Sequence, residues 1–535
     1  MSRASPWGAA GVTAAVLGIL WVRWSRHPLE AYGDSAAHLI EHLARFRLLA
    51  RLEAGLDGGP LAWLVALDGL YPPGLHLVEA AFGAVVGHAP ERVVLLGVGW
   101  LLLLCSSVAE AARRLGPPGS APLVFAGVAL IPAVQGAALR SYYDLPMTAL
   151  LWAAVAALAG PGRGRAVAGA ALLLAASLIK WTALPFGLAM MFGLAVALDG
   201  AGRRRVGGAV VLWAAGVTAL LLAGMSSLST MGGATFQPPP GVAASTWAEA
   251  LPPPLSGWLG AAAAQVAVTD GARLAFYPAR LAASVLSPVG AMVAGVGGAA
   301  WLRRGAPAGA VVVATALGQL AFLLLLVPPL DDRFLLTLAP ALALAAGVGL
   351  VGRPRVSAVA AVALVVVSAD AHLRPPLDPT PAVGPGARSA ALEGRDWVAR
   401  GGVASSIDRR GWSRTTDLVA HRGALEARLW GRLRGCGGGG VDGPDAVLLA
   451  AGDLNRWTLR RLRDARAGHA PAVRWLGEPS ADRRARRLWV QPEPAGALGG
   501  SPTPPRGWRQ LDVVDDPDGG PGVAIWAPPA SPPCG

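Results

Sequence analysis

Long apolar runs dominate the first two thirds of the chain. They fall at residues 7–22, 93–110, 120–138, 146–160, 166–180, 182–198, 207–226, 280–301, 308–328, 334–351 and 355–370. A helix needs about 17–25 mainly apolar residues to cross a bilayer, so these runs predict roughly eleven transmembrane helices, several of them short. The first run follows a single Arg3, and no small-x-small cleavage site precedes Arg23. With further spans behind it, it reads as an uncleaved first helix and not as a signal peptide. Residues 74–88, GLHLVEAAFGAVVGH, are also helical and apolar. If they spanned, every later loop would change sides. They are therefore expected to lie in the outer interface, inside one long loop from 23 to 92. A second long outer loop, rich in Pro, Gly, Ser and Trp, runs from about 227 to 279.

After Asp370 the pattern changes. Residues 371–388 are Pro-rich and read as a linker. Beyond them, residues 445–452, 473–477, 486–492 and 522–528 have the apolar, β-branched character of strands, and 454–468 that of an intervening helix. This βαβ-like rhythm predicts a small α/β domain. The expected organisation is a transmembrane domain over 1–375 and a C-terminal α/β domain over 376–535, with no repeat of fixed period.

Composition agrees with a polytopic membrane protein and argues against a soluble enzyme. Of the 535 residues, 53% are hydrophobic and 15% charged, and mean hydropathy is +0.47. The abundance of Ala, Gly, Pro and Arg reads as the background of a GC-rich genome. The net charge of +13 would suit nucleic acid if it formed a stripe. Instead Arg113/Arg114, Arg163/Arg165, Arg203–Arg205, Arg303/Arg304 and Arg353/Arg355 cluster in alternate short loops, as cytoplasmic loops do. The opposite loops carry Glu30, Asp34, Glu41, Asp144, Asp270, Asp331 and Asp332. With the N-terminus inside and an odd number of spans, the C-terminal domain is extracytoplasmic. Cys105 falls mid-span; Cys436 and Cys534 form neither a zinc pattern nor a disulfide framework, though an extracytoplasmic domain would let them pair.

Four polar constellations fall on that outer side. In YGDSAAHL, Asp34 and His38 are four apart and would share a helix face. Asp34 is either a helix cap or a reactive carboxylate, and Asp34, His38 and Asp144 are the candidates should a divalent metal bind. In RSYYDLP, Asp144 opens a helix, where a carboxylate is favoured anyway, yet Arg140, Tyr142 and Tyr143 crowd the same short loop. Lys180 is the only lysine in a chain that otherwise writes positive charge as arginine. It either snorkels to the headgroups or supplies the compact ammonium that a phosphate needs. If buried, it requires an anionic partner. In PPLDDRFLL, Arg333 either pairs with Asp331 or Asp332 or faces a lipid phosphate. YPPGL at 71–75 and FYPARL at 276–281 add Tyr71 and Tyr277 to the same interface.

Together these residues resemble the GT-C superfamily of integral-membrane glycosyltransferases, in the bacterial branch related to protein O-mannosyltransferases and the aminoarabinose transferase of lipid A. The likeness covers about residues 7–370. It rests on Asp34 after the first span, YPP at 71–73, the Arg140-x-x-x-Asp144 spacing, KWTAL at 180–184 and DRFLLTLAPALALAAG at 332–347. One departure stands out: Ser35 follows Asp34 where the family often has a second acid. His38 or Glu41 would have to compensate, and metal dependence is left open. The resemblance implies a GT-C-like helical membrane fold, a polyprenyl-phosphate-linked sugar as donor and an envelope glycan, lipid or protein as acceptor. It further implies Asp34 as general base with inversion at the anomeric carbon, Lys180 and Arg333 on the donor phosphate, and Asp144 orienting the acceptor, a metal or Arg140. His38, Arg140, Tyr143, Tyr71 and Tyr277 are auxiliary or acceptor-binding residues. Two rival classes stand beside this: a transporter, which would be expected to show internal repeats and midplane charge, and a non-catalytic envelope-assembly protein.

The orientation is tested by fusing alkaline phosphatase, or a fluorescent protein, after residue 375. Phosphatase activity without fluorescence is expected; the reverse pattern would overturn the topology.

Overall fold

The computed structural model describes residues 6–26, 59–69, 71–87, 90–139, 142–162, 164–229, 277–278, 281–302, 307–326 and 332–373, and in the C-terminal part 428–429, 432, 446–449, 472–475, 487–492, 507–514 and 523–527. The helices in order are α1 (Pro6–Arg26), α2 (Gly59–Ala66), α3 (Gly74–Val86), α4 (Pro90–Val93), α5 (Leu96–Leu115), α6 (Ser120–Ala129), α7 (Pro132–Ala137), α8 (Asp144–Ala159), α9 (Gly164–Ile179), α10 (Ala183–Ala197), α11 (Gly200–Leu222) and α12 (Ser226–Ser229). A π-helical turn (Leu281–Val285) leads into α13 (Ser287–Leu302), followed by α14 (Ala308–Leu326), a 3₁₀ turn (Asp332–Thr337), α15 (Ala339–Leu350) and α16 (Pro354–Leu373). Within the described residues each apolar run named above is largely helical. Among the described residues two helices, α5 and α11, meet both the length and the hydropathy needed to cross a membrane.

The departures from expectation have local causes. The run 120–138 is two helices, because Pro132 has no N–H to continue the ladder. The Gln135 side chain instead donates to the Ala129 carbonyl at 2.7 Å and accepts from Ser368 of α16 at 2.5 Å. The buried polar groups at the break are thereby paired. Helix α11 begins seven residues earlier than the apolar run suggests. Asp199 caps it, accepting from the Gly202 N–H at 2.7 Å, so the three arginines fall inside the helix. Helix α3 is not merely superficial: it buries Leu75, His76, Glu79, Ala80 and Gly83.

The core is built by close helix crossings at small residues. Helices α13 and α15 pack together; a Cβ on Gly297 would fall 2.5 Å from the Ala346 Cα, and one on Gly349 would fall 1.8 Å from the Gly297 carbonyl oxygen. A Cβ on Gly97 of α5 would fall 2.1 Å from the Ala138 carbonyl oxygen. Large apolar side chains point outward instead, among them Leu222, Phe192, Leu317 and the Val359, Val362 and Val366 stripe of α16. Small residues at the close crossings and large apolar side chains on the outer surface are what a helix bundle in lipid requires.

The two ends of the bundle differ. Arg113 and Arg114 close α5, each paired with Glu110 at 2.5 Å. The Arg114 guanidinium lies against Gly160 after α8, and Val348 near the end of α15 packs on Gly116. Arg113 and Arg114 therefore lie at the end of the bundle where α5, α8 and α15 stop. At the other end lie the starts of α3, α5 and α8 and the ends of α1, α9 and α16; there Arg23 of α1 bonds His372 of α16.

In the C-terminal part a five-stranded sheet has the order β2-β1-β3-β5-β4, with β1 (Ala446–Leu449), β2 (Ala472–Trp475), β3 (Arg487–Pro492), β4 (Arg509–Val514) and β5 (Val523–Ala527). β1 pairs in parallel with β2 and β3; β5 runs antiparallel to β3 and β4. The parallel β1–β2 pair fits the expected crossover, while the helix expected over 454–468 lies outside the described residues, as do Cys436 and Cys534. Strand β4 was not anticipated, since Asp512 breaks its apolar alternation, at the point where its register with β5 shifts.

The α13–α15 crossing is tested by Gly297→Ala beside Gly295→Ala, whose Cβ would meet nothing within 4 Å. Gly297→Ala is expected to lose about 1–3 kcal/mol through overpacking, read as a lower unfolding midpoint in detergent, and Gly295→Ala to match the parent.

Candidate active site

Three helix termini meet at the end opposite Arg113 and Arg114. Helix α8 starts at Asp144, α9 stops at Ile179, and α3 starts at Gly74. Pro146 and Pro185 lie in the first turns of α8 and α10, where a missing N–H costs no bond. Between α9 and α10 the chain makes a tight turn over Lys180, Trp181 and Thr182. The Ala183 N–H donates to the Lys180 carbonyl and the Leu184 N–H to the Trp181 carbonyl, both at 3.0 Å.

That turn buries Lys180, 6% exposed, against Asp144, 5% exposed. The Lys180 Nζ donates to Asp144 Oδ1 at 2.7 Å. Each charge also faces the helix end that favours it: the carboxylate at the start of α8, the ammonium just past the end of α9. The Phe334 ring centroid lies 5.3 Å from Nζ, within cation–π range. Phe334 belongs to the 3₁₀ turn, which packs on α8. Gln319 of α14 holds the turn, its side-chain amide donating to the Phe334 carbonyl and to the Thr337 hydroxyl. Arg333 lies beside Phe334 on that turn.

Tyr143, the residue before α8, is buried. Its ring stacks on Tyr71 with centroids 4.5 Å apart and planes at 29°. His76 Nε2 lies 2.6 Å from the Tyr143 hydroxyl oxygen, and His76 Nδ1 lies 3.1 Å from Glu79 Oε2. Both His76 and Glu79 are buried. Helix α3 reaches this position because Gly74 permits contact with α9: a Cβ there would lie 2.6 Å from the Leu178 carbonyl oxygen, two residues before Lys180.

Of the residues expected from sequence, Asp144, Lys180, Tyr143 and Tyr71 come together. Tyr277 is fully buried just before the π-helical turn, which packs on the 3₁₀ turn. Asp34, His38 and Arg140 lie outside the described residues. Among the described residues no group of three or more His, Cys, Asp and Glu side chains gathers as metal ligands. His76 and Glu79 were missed. Their signal was available: two ionisable residues three apart in an otherwise apolar helix require partners.

No protein-family model matches the chain, and no curated protein matches it. Solved structures do. The apo crystal structure of ArnT from Cupriavidus metallidurans superposes with a TM-score of 0.58 at 15% identity, covering 96% of this chain and 97% of that one. The crystal structure of the same protein bound to undecaprenyl phosphate gives 0.52 at 15% identity, covering 98% of each chain. The chain shares the fold of this ArnT. At this identity the likeness is one of architecture alone, matched over nearly its whole length.

Removing one partner of the buried pair strands the other. Lys180→Met is expected to destabilise by about 3–5 kcal/mol, and Lys180→Met combined with Asp144→Asn to be more stable than Lys180→Met alone. Unfolding midpoints in detergent give the comparison; a double variant no better than the single one would mean that the pair is not a coupled buried unit.

Proposed function

We propose that this protein is an inverting glycosyltransferase that moves a sugar from a polyprenyl-phosphate lipid to a cell-envelope acceptor at the outer face of the bacterial cytoplasmic membrane. The observation that carries this reading is the buried Lys180 ammonium, held by Asp144 at the polar end of a GT-C bundle. The ArnT structure with undecaprenyl phosphate supports the lipid class.

An ammonium has three donors, and the Asp144 bond uses one. The others suit the oxygens of a phosphodiester arriving from the bilayer, with Arg333 as a second cation. The acceptor hydroxyl or amine attacks C1 of the sugar from the face opposite the phosphate. The bond from C1 to the phosphate oxygen breaks, its electron pair stays on that oxygen, and Asp34 takes the acceptor's proton. The leaving group is a phosphomonoester that gains negative charge, so preorganised cations lower the barrier more than a proton donor would. A carboxylate base contributes about 10²–10⁴-fold. Asp144 fixes the ammonium, and the residues of 1–375 carry the chemistry. In this reading the sheet-containing domain, 376–535, lies on the extracytoplasmic side.

The test is glycan profiling of a deletion strain complemented with wild type, Asp34→Asn, Lys180→Arg or Lys180→Met, with undecaprenyl phosphate binding measured on the purified proteins. Wild type is expected to restore the missing glycan. Asp34→Asn abolishes it while binding persists. Both Lys180 variants lose about 10²–10³ in transfer, arginine because its planar fork cannot occupy the place of a compact ammonium. Full complementation by Lys180→Arg removes the requirement for lysine; full complementation by Lys180→Met, or a deletion strain with an unchanged envelope, overturns the proposed function.

A further inference from the structure

The Lys180–Asp144 pair is joined to a second buried polar chain, which runs from Glu79 through His76 to Tyr143. A neutral imidazole has one donor and one acceptor nitrogen. In that neutral form, with Nδ1 beside the Glu79 carboxylate, Nδ1 would carry the hydrogen and Nε2 would accept from the Tyr143 hydroxyl. The carboxylate thus sets the tautomer, and the tautomer sets the phenol rotor. Tyr143 is also the residue whose carbonyl accepts from the Met147 N–H at 3.1 Å, in the first turn of α8. Asp144 is next in the chain.

Three contacts close a triangle around the site. Gly74 seats α3 on the last turn of α9 at Leu178. Lys180 after α9 bonds Asp144 of α8. Tyr143 before α8 bonds His76 of α3. The Tyr71 ring stacks on Tyr143 and braces that last corner. Two corners are polar and directional, and all three involve segments adjoining a helix terminus, where the backbone is held by fewer of its own hydrogen bonds.

We propose that His76 and Glu79 are positioning residues that act through Tyr143, locking the first turn of α8 so that Asp144 holds the Lys180 ammonium where the donor phosphate must sit. This rests on the glycosyltransferase reading above. A charge displaced by about 1 Å can cost about 10²-fold in rate, whereas the lipid can still be captured by a lysine that has merely moved. Binding and transfer should therefore separate.

The experiment uses full-length protein in the complemented deletion strain and, purified, in detergent. Tyr143→Phe keeps the ring and its stack on Tyr71 but removes the hydroxyl; His76→Phe and Glu79→Gln break the chain at its other links, and His76→Gln can still donate and accept. The expected result is an about 10–100-fold loss of glycan product for the first three, partial recovery with His76→Gln, and undecaprenyl phosphate binding within about twofold of wild type. Wild-type product from Tyr143→Phe and His76→Phe, in a strain where Lys180→Met is inactive, overturns the relay and leaves the proposed function standing. If wild type itself makes no product, the function fails instead. The relay is then judged by unfolding midpoints of His76→Phe, Tyr143→Phe and the double variant: strictly additive shifts overturn it, and a double variant no worse than the weaker single one supports it.

Discussion

One buried ion pair organises the polar end of this bundle. Lys180 and Asp144 are both nearly inaccessible and 2.7 Å apart, and removing either would leave the other's polar group buried without its partner. The pair demands that α9 end and α8 begin at the same depth. That demand explains local features that look unrelated: the turn over residues 180–182, the prolines in the first turns of α8 and α10, and the glycine that lets α3 cover the junction.

The rest of the fold separates two tasks. Lipid-facing surfaces are apolar and tolerant, while interior crossings use glycine and alanine at backbone contact, as between α13 and α15. Such crossings leave little room for polar side chains in the middle of the bundle. Several polar links lie instead toward the end that holds the pair: Gln135 with Ser368, Arg23 with His372, and His76 with Tyr143. Each ties elements distant in sequence, so the site end is held by directional bonds. At the arginine-rich end Glu110 pairs with Arg113 and Arg114 within one helix, beside the packing of Arg114 on Gly160 and of Val348 on Gly116.

Much of this was legible in the residues. Apolar runs announced the helices because a bilayer offers backbone groups no other partners. The single lysine in an arginine-rich chain drew attention to one position, and its burial against Asp144 meets the need for an anion there. Strand β4 was less visible, because an aspartate interrupts its alternation and β propensity depends on neighbours that only the sheet supplies.

What the residues could not disclose was who meets whom across the bundle. Asp144 and Lys180 are 36 positions apart and His76 and Tyr143 are 67, and no local pattern encodes those distances. His76 and Glu79 read as part of an apolar surface helix, since periodicity reports a face and not what that face touches. The break at Pro132 was visible as a proline, yet whether the chain kinks or stops there depends on a Gln135 side chain finding Ala129 and Ser368. The sequence by itself determined the medium, the helices and the kinds of charge available, because these follow from transfer energies and local hydrogen bonding. Tertiary packing alone decided the partners, because a buried charge is satisfied by whatever the fold brings within about 3 Å, a matter of three-dimensional closure and not of order along the chain.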